Sequence, residues 1–389
     1  MSIVDPPIRG IDPPGYPAAR VVASAVEAHF AHARRGAADL DTSALPPVPG
    51  RAEIEAIVDV AFWASLRREE GRSPRISITY LPPHMASGPL LFERRLPFTP
   101  GGLTHLAPAV ERPGIHLGVW SEDGELRVWG ATRTVPCYCF VLEVVQPGLL
   151  VIKYRRGKGP GKFGNVAVLE GDEIRVIDHE GLGRDEYTPT INALLGLDAE
   201  ALWNEPANAL VELAVSMRAH GRGGSLLVVP AESDGWRDSI VKPVSYAVAP
   251  PLVELAELMA RRPDERWEIR WRADFQRAVA AVAGLTAVDG ATVISDAFDV
   301  HAFGAKIGRR EGYGPVGEVL VSEPVLGHPR VLVHPTSLGG TRHLSAAQFA
   351  HDQRSARALV ASQDGRFTVF AWSEPEHRVH AHRVEALLL

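Results

Sequence analysis

The sequence comprises 389 residues, of which 46% are hydrophobic and 23% are charged, and these proportions exclude a disordered or low-complexity chain. A formal net charge of −6 argues against bulk binding to nucleic acids or to anionic membranes. The two cysteines, Cys137 and Cys139, are too few for a disulfide framework, and no uncharged stretch reaches the ~20 residues of a membrane-spanning helix. We therefore expect two or three domains in a cytoplasmic protein that has no membrane segment.

The first part of the chain changes character near residue 50. Residues 1–50 are rich in proline and contain one helix-like segment, Ala18–Arg34, so we expect a leader there that packs loosely or partly on a neighbouring element. From Arg51 a helical spacing of apolar residues gives way to short alternating runs, among them ISITYL, GIHLGVW and GLLVIKY, with turn signals between them. This pattern predicts a mostly antiparallel, β-rich domain over residues 51–190.

The second part of the chain, residues 196–389, alternates helical and strand patterns. A helix that ends near Ala219 leads into the apolar strand SLLVVP, and two helical segments follow. Strand patterns then surround the segments VDGATVIS and VHAFGAKI, and the last helix precedes a closing hairpin with an Asp-Gly turn. The predicted fold class is mixed α/β: a β-rich first domain, then a mixed sheet flanked by helices.

One candidate site is the segment Asp289-Gly290-Ala291, which lies between two apolar strand patterns. A carboxylate at a strand end can hold a divalent cation or orient a hydroxyl group, and glycine lets a ligand approach the backbone. Asp-Gly is also common in ordinary β-turns. Considered alone, the segment is compatible with either interpretation.

A second candidate site is the segment GGTRHLSAA at residues 339–347, where a helix is predicted to begin. Thr341 can cap the helix, Arg342 offers a forked donor that suits phosphate, and His343 can donate to a phosphate oxygen or protonate a leaving group. The first turn of a helix also favours anions, because its N–H groups are unpaired. The alternative is a capped surface helix with two solvated polar residues.

Taken together, the segments GGSLLVV, VDGATVI, FGAKI, GGTRHLSAA and ALVASQDGRFTVF form an ordered series over residues 200–375. This series resembles the diadenylate cyclase (DAC) domain family, which carries a DGA motif followed by a GTRHR-type motif. The preceding part, in particular GVWSEDGELRVWG and GKFGNVAVLEGDEIRVID, is similar to the DACNV domain, regarded as a probable sensor fused ahead of DAC domains. The resemblance implies three segments: a leader at 1–50, a sensor domain at 51–190 and a nucleotidyl-cyclising domain at 196–389.

The resemblance implies an activity: two ATP molecules become cyclic di-AMP with release of two pyrophosphates, in the presence of Mg²⁺ or Mn²⁺. It also implies a homodimer or higher homo-oligomer with face-to-face DAC domains, because each site brings one ATP. The family motifs map onto catalytic residues, of which the first would also bind the metal: Asp289, Arg342 and His343. They map further onto residues that would contact the nucleotide or its phosphates: Gly290, Ala291, Gly340, Thr341, Ser345 and Ser362.

Two positions depart from the family pattern. The family motif RHR reads Arg342-His343-Leu344 here, and Gln363 stands where some members carry an acidic residue. These departures motivate a different hypothesis, a nucleotide-binding module that does not turn its ligand over. A third possibility is cyclisation of another nucleotide or synthesis of a linear oligonucleotide, because no base-reading residue can be recognised. Nothing in the sequence identifies the signal that the first domain would sense.

Overall fold

The computed structural model describes residues 15–36, 45–155, 163–178 and 208–389. The chain divides into two compact units: unit 1 comprises residues 1–155 with 163–176, and unit 2 comprises residues 156–162 with 177–389. Each unit is built on one mixed β-sheet with helices, which confirms the predicted mixed α/β class. The predicted domain boundary between residues 190 and 196 lies outside the described residues and stays a prediction. No helix of the described residues combines the length and the hydropathy that crossing a membrane requires.

Unit 1 contains an eight-stranded sheet among its described residues. Its helices are α1 (Pro17–Gly36), α2 (Arg51–Ser65) and α3 (Pro100–Val110). Its strands are β1 (Ile76–Tyr80), β2 (Leu90–Pro97), β3 (His116–Glu122), β4 (Glu125–Thr132), β5 (Phe140–Gln146), β6 (Leu149–Arg155), β7 (Phe163–Glu170) and β8 (Glu173–Val176). The strand order is β2-β4-β3-β1-β5-β6-β7-β8, and only the β1–β3 pair of this sheet is parallel. The mostly antiparallel sheet that the alternating runs predict is therefore confirmed.

Helix α1 belongs to the core of unit 1, so loose packing, the first of the two expected alternatives, is wrong for this segment, which packs fully on its neighbours. Val22, Val26 and Phe30 are fully buried and follow each other at intervals of four residues. This spacing places their side chains on one face of the helix, which packs against α2 and the sheet. The proline content of the flanking residues concealed that apolar face. Two parts of the predicted leader, residues 1–14 and 37–44, lie outside the described residues.

Unit 2 contains a nine-stranded sheet among its described residues. Its helices are α4 (Ala209–Ala219), α5 (Glu254–Met259), α6 (Ile269–Leu285) and α7 (Thr341–Asp352). Its strands are β9 (Gly224–Val229), β10 (Tyr246–Leu252), β11 (Ala291–Ser295), β12 (Val300–Ala305), β13 (Val319–Ser322), β14 (Val331–Val333), β15 (Arg357–Ala361), β16 (Phe367–Ser373) and β17 (Arg378–Arg383). The strand order is β10-β12-β11-β9-β15-β16-β17-β13-β14.

The centre of this second sheet sets the position of the predicted motifs. Strand β9 lies between β11, to which it is parallel, and β15, to which it is antiparallel. Strands β15 and β16 form the predicted closing hairpin. Helix α7 packs its alanines and Phe349 on the sheet, against residues that include Leu227 and Val293. Because α7 covers this face, its first turn lies near the beginning of β9 and β11.

The buried histidine His382 on β17 makes the stability of unit 2 dependent on pH. Its Nδ1 lies 2.7 Å from the Oγ of Ser322, and burial lowers the pKa of His382 to about 3, with the charges of His380 and Arg330 adding to the effect. The unfolded chain binds a proton near pH 6.5 and the folded chain does not. Stability that is present above pH 6.5 is therefore lost as the pH falls.

We expect His382 to lower the free energy of unfolding by about 2 kcal/mol between pH 7.5 and pH 5.0, as follows from the two pKa values. The variant His382→Asn should be less stable at both pH values but should show a smaller difference between them. Denaturant titrations of both proteins at the two pH values provide the measurement. An equal pH dependence in the two proteins would contradict the assignment, since the other buried histidines are present in both.

Candidate functional site

The two predicted motifs lie in one pocket of unit 2, although about 50 residues of sequence separate them. The pocket is lined by Ser225, Asp289, Gly290, Ala291, Ala305, Lys306, Ile307, Thr341, Arg342 and Ser345. The structure thus brings together six of the predicted site residues: Asp289, Gly290, Ala291, Thr341, Arg342 and Ser345. Their convergence follows from the packing of α7 on β15, β16, β17 and β9, the last of which pairs with β11.

Gly290 enables the close approach of β11 and β12 at the pocket. Its φ is +112°, and a Cβ atom placed on it would lie 2.4 Å from the carbonyl carbon of Gly304. A side chain at this position would therefore meet both backbone strain and a backbone clash. With glycine at position 290, β11 and β12 can pair closely as a hairpin. Asp289, the residue before this glycine, then lies at the rim of the pocket.

Asp289 forms an ion pair with Lys306, the residue that follows β12. The Nζ of Lys306 lies 2.5 Å from the Oδ2 of Asp289, and both side chains are largely exposed. The hydrogen bond from Lys306 lowers the pKa of Asp289 below its usual range, and the charges of Lys306 and Arg342 act in the same direction. The carboxylate is therefore ionised at neutral pH.

The first turn of α7 presents a surface that suits an anion. The helix begins at Thr341, and Ser345 lies one turn later on the same side, with Arg342 beside them. The N-cap is Gly340, and no side chain caps the first N–H groups. These N–H groups and the helix dipole favour negative charge in front of the helix.

His343 does not reach the pocket, which corrects its predicted contact with the substrate. Its side chain is 4% exposed and packs edge-on against the ring of Phe370 at a centroid distance of 6.1 Å. Burial lowers the pKa of His343. The reason is helical geometry, because residue 343 lies about 200° around the helix from Thr341 and from Ser345.

Ser362 is likewise not among the residues that line the pocket. It lies in the β15–β16 turn, where its backbone N–H donates to the carbonyl of Arg366 and its side chain hydrogen-bonds to Asp364. Gly340 contributes to the site as the helix cap and not as a lining residue. Leu344, the position that departs from the family motif, packs against the core of unit 2.

Arg342 extends from the pocket towards the β15–β16 turn. A Cβ atom placed on Gly223 would lie 2.9 Å from the Nη1 of Arg342 and 3.4 Å from the Cγ of Gln363. Gln363 itself is exposed, and its Nε2 donates to the carbonyl of Arg222 at 3.4 Å. The guanidinium group therefore lies between the Asp289 side of the pocket and the turn that carries Gln363.

Sequence analysis did not identify four residues of the pocket: Ser225, Ala305, Lys306 and Ile307. The segment FGAKI drew attention only as part of the family series, yet three of these residues belong to it. Antiparallel pairing of Ala291 with Ala305 brings Lys306 beside the DGA segment. The sequence signal for Lys306 is a lysine directly after an apolar strand. This signal indicates a site residue only when the register of β11 against β12 is known.

The donor set of the pocket fits a divalent cation that arrives with a nucleotide. Among the described residues, no group of three or more His, Cys, Asp or Glu side chains could hold a metal ion. Mg²⁺ is commonly bound by one or two carboxylates together with substrate phosphates. The ionised and exposed carboxylate of Asp289 matches that mode.

Comparisons with known proteins bear on unit 1 more than on unit 2. Residues 43–133 match the family model described as "Probable sensor domain DACNV". No curated protein matches the chain. Among solved structures, the chain matches a double cysteine mutant of DacA from Staphylococcus aureus with 12% sequence identity and a TM-score of 0.23, covering 50% of this chain and 89% of that chain. At this TM-score, the likeness to DacA supports no conclusion about unit 2.

The requirement for glycine at position 290 can be tested against a second glycine of the same site. Gly290→Ala should destabilise unit 2 by roughly 2–6 kcal/mol, because the strain of a positive φ and the clash with Gly304 each cost about 1–3 kcal/mol. Gly340→Ala is the matched control. Its φ is −75° and a Cβ atom there would meet nothing within 4 Å, so its cost should stay within about 1 kcal/mol. Equal melting temperatures for the two variants would contradict the prediction.

Proposed function

We propose that the chain is a nucleotidyltransferase that converts two ATP molecules into cyclic di-AMP, and that its DACNV-like region regulates this activity. The observation that carries the proposal is the convergence of Asp289 with Thr341, Arg342 and Ser345 in one pocket. Phosphoryl transfer chiefly requires positioning and the neutralisation of negative charge. A helix N-terminus, an arginine and an acidic side chain for a metal together meet this requirement.

The reaction consists of two equivalent displacements. In each one, the ribose 3′-oxygen of one nucleotide forms a bond to the α-phosphorus of the other. The bond between that phosphorus and the bridging oxygen of the β-phosphate breaks, so that pyrophosphate leaves with the bonding electron pair. The hydroxyl proton passes to solvent. Mg²⁺ or Mn²⁺, bound by Asp289 and the phosphates, would supply charge neutralisation.

The residues of the chain then have distinct tasks. The uncapped N–H groups at the start of α7 and the guanidinium group of Arg342 bind phosphate oxygens. Thr341 and Ser345 offer hydroxyl donors on the same side of the helix. Asp289 is the acidic side chain among the residues that line the pocket, and its task is to hold the cation and orient the ribose.

One pocket of this kind holds one ATP, whereas the product contains two nucleotides. We therefore propose that two copies of the chain meet with their pockets face to face, at least during turnover. In that arrangement each copy contributes half of the cyclic product. Proximity of two bound triphosphates would then replace an encounter in solution, which lowers the entropic part of the barrier.

A second candidate function is nucleotide binding without turnover. The observation that favours it is the ion pair itself, because Lys306 already neutralises the carboxylate that a catalytic cation would need. Leu344 adds to this argument, since its side chain packs in the core and supplies no positive charge. In this case the chain would report the presence of a nucleotide to its sensor region or to a partner.

The two functions can be separated by incubating the full-length chain with each ribonucleoside triphosphate and Mg²⁺ or Mn²⁺. The products are identified by chromatography and mass analysis. We expect cyclic di-AMP from ATP, and we expect Asp289→Asn to lower its rate of formation by at least about 100-fold, in line with the loss of a charge-stabilising group. The control is Asp264→Asn, an exposed aspartate of unit 2 that does not line the pocket.

Each outcome has a distinct meaning. Product formation that survives Asp289→Asn would overturn the assignment of the site. A nucleotide that raises the melting temperature without yielding product would favour the binding function. If no nucleotide changes the melting temperature, both functions fail.

A further inference from the structure

Lys306 lines the pocket, and the family motifs assign it no role. It directly follows β12, and its backbone carbonyl accepts a hydrogen bond from the N–H of Val241 at 2.9 Å, which holds the end of the strand in place. Its side chain points to the DGA segment, where it pairs with Asp289. The backbone is thus fixed, while the four-carbon side chain can turn to another partner.

The Asp289–Lys306 ion pair contributes little to stability and can be separated easily. The side chains of Asp289 and Lys306 are 85% and 53% exposed, respectively. Exposed ion pairs contribute little to the free energy of folding, because water competes for both partners. A ligand that offers each partner a better counter-ion can therefore separate them at small cost.

The charges of the pocket favour a polyanion that carries a cation. Lys306 and Arg342 supply two positive charges that act on the carboxylate of Asp289, and the start of α7 adds its dipole. A divalent cation on Asp289 would repel the ammonium group of Lys306 at its present position. The phosphates that accompany the cation would be the nearest new partner for that ammonium group.

We propose that Lys306 is a triphosphate-binding residue that pairs with Asp289 in the empty pocket and moves to the nucleotide phosphates when the metal–nucleotide complex binds. This inference rests on the proposed nucleotide site. The exchange makes the pocket selective: a metal ion alone must displace Lys306 without offering it a partner, whereas the metal–nucleotide complex satisfies both side chains. Lys306 also supplies a positive charge to the pocket, whereas Leu344, which stands where the family motif has an arginine, supplies none.

The test compares the full-length chain with its Lys306→Met variant, using MgATP, adenosine and Mn²⁺ alone as probes. MgATP and adenosine are titrated by calorimetry, and Mn²⁺ is followed by the loss of its free-ion paramagnetic resonance signal. Lys306→Met should weaken MgATP binding about 10- to 100-fold, the effect of losing one charge-assisted hydrogen bond. Adenosine binding should stay within about threefold, because adenosine has no phosphate for Lys306 to contact. Mn²⁺ alone should bind more tightly to the variant, because its competitor for Asp289 is gone.

Two further variants complete the design. Lys306→Arg retains the charge and should keep most of the MgATP affinity. Lys242→Met removes an exposed lysine of the same unit that does not line the pocket, and it should bind all three probes like the parent chain. Because the side chain of Lys306 is exposed, its variants should melt close to the parent temperature; Lys306→Gln provides a second neutral variant.

The outcomes separate this inference from the proposed function. If the parent chain binds MgATP and Lys306→Met binds it equally well, Lys306 is only a counter-ion of Asp289 and the inference is overturned while the nucleotide site stands. Equal losses of MgATP and adenosine affinity would also overturn it, since they would indicate a structural role. If the parent chain binds no nucleotide, the proposed function fails and the inference fails with it.

Discussion

The contact between the backbones of Gly290 and Gly304 is the constraint on which the rest of the pocket depends. It closes the β11–β12 hairpin so tightly that no side chain fits at position 290. The same closure places Asp289 at the rim and Lys306 next to it, within reach of the first turn of α7. A wider hairpin would separate these two charges, and neither could then act on a ligand held by the helix.

The sequence predicted the elements of this site better than its contacts. The turn before β11, the start of α7 and the closing hairpin all follow from local signals, namely Gly290, a helical apolar pattern and an Asp-Gly turn. Lys306 escaped notice because its place depends on the register of β11 against β12, which shifts between the pairs Ala291–Ala305 and Val293–Ala302. Such an irregularity arises from tertiary packing and leaves no periodic signal. His343 was misplaced for a related reason, since the residue at which a helix begins decides which side chains face the core.

Unit 1 illustrates the opposite error, in which composition concealed a packed element. Prolines around α1 suggested a loose leader, but Val22, Val26 and Phe30 lie in the core. Burial of these three apolar side chains stabilises the packed helix, because each contributes about 1.5–3 kcal/mol to the free energy of folding when it is withdrawn from water. The proline content of the flanking residues gives no information about this contribution. The region that matches the DACNV family, residues 43–133, thus belongs to a unit that also includes an element preceding the match. The compact unit that contains the matched region therefore includes α1 as well.

The chemistry available in the pocket follows from the charges that line it. The hydrogen bond from Lys306 lowers the pKa of Asp289, so its carboxylate is ionised at neutral pH. None of the described residues that line the pocket is a histidine, because His343 faces the core. What the pocket offers is positive charge: Arg342, Lys306 and the uncapped start of α7 lie in the same pocket as one anionic group, Asp289. A pocket of this composition suits the proposed reaction, because the barrier of that reaction lies in bringing phosphates together and dispersing their charge.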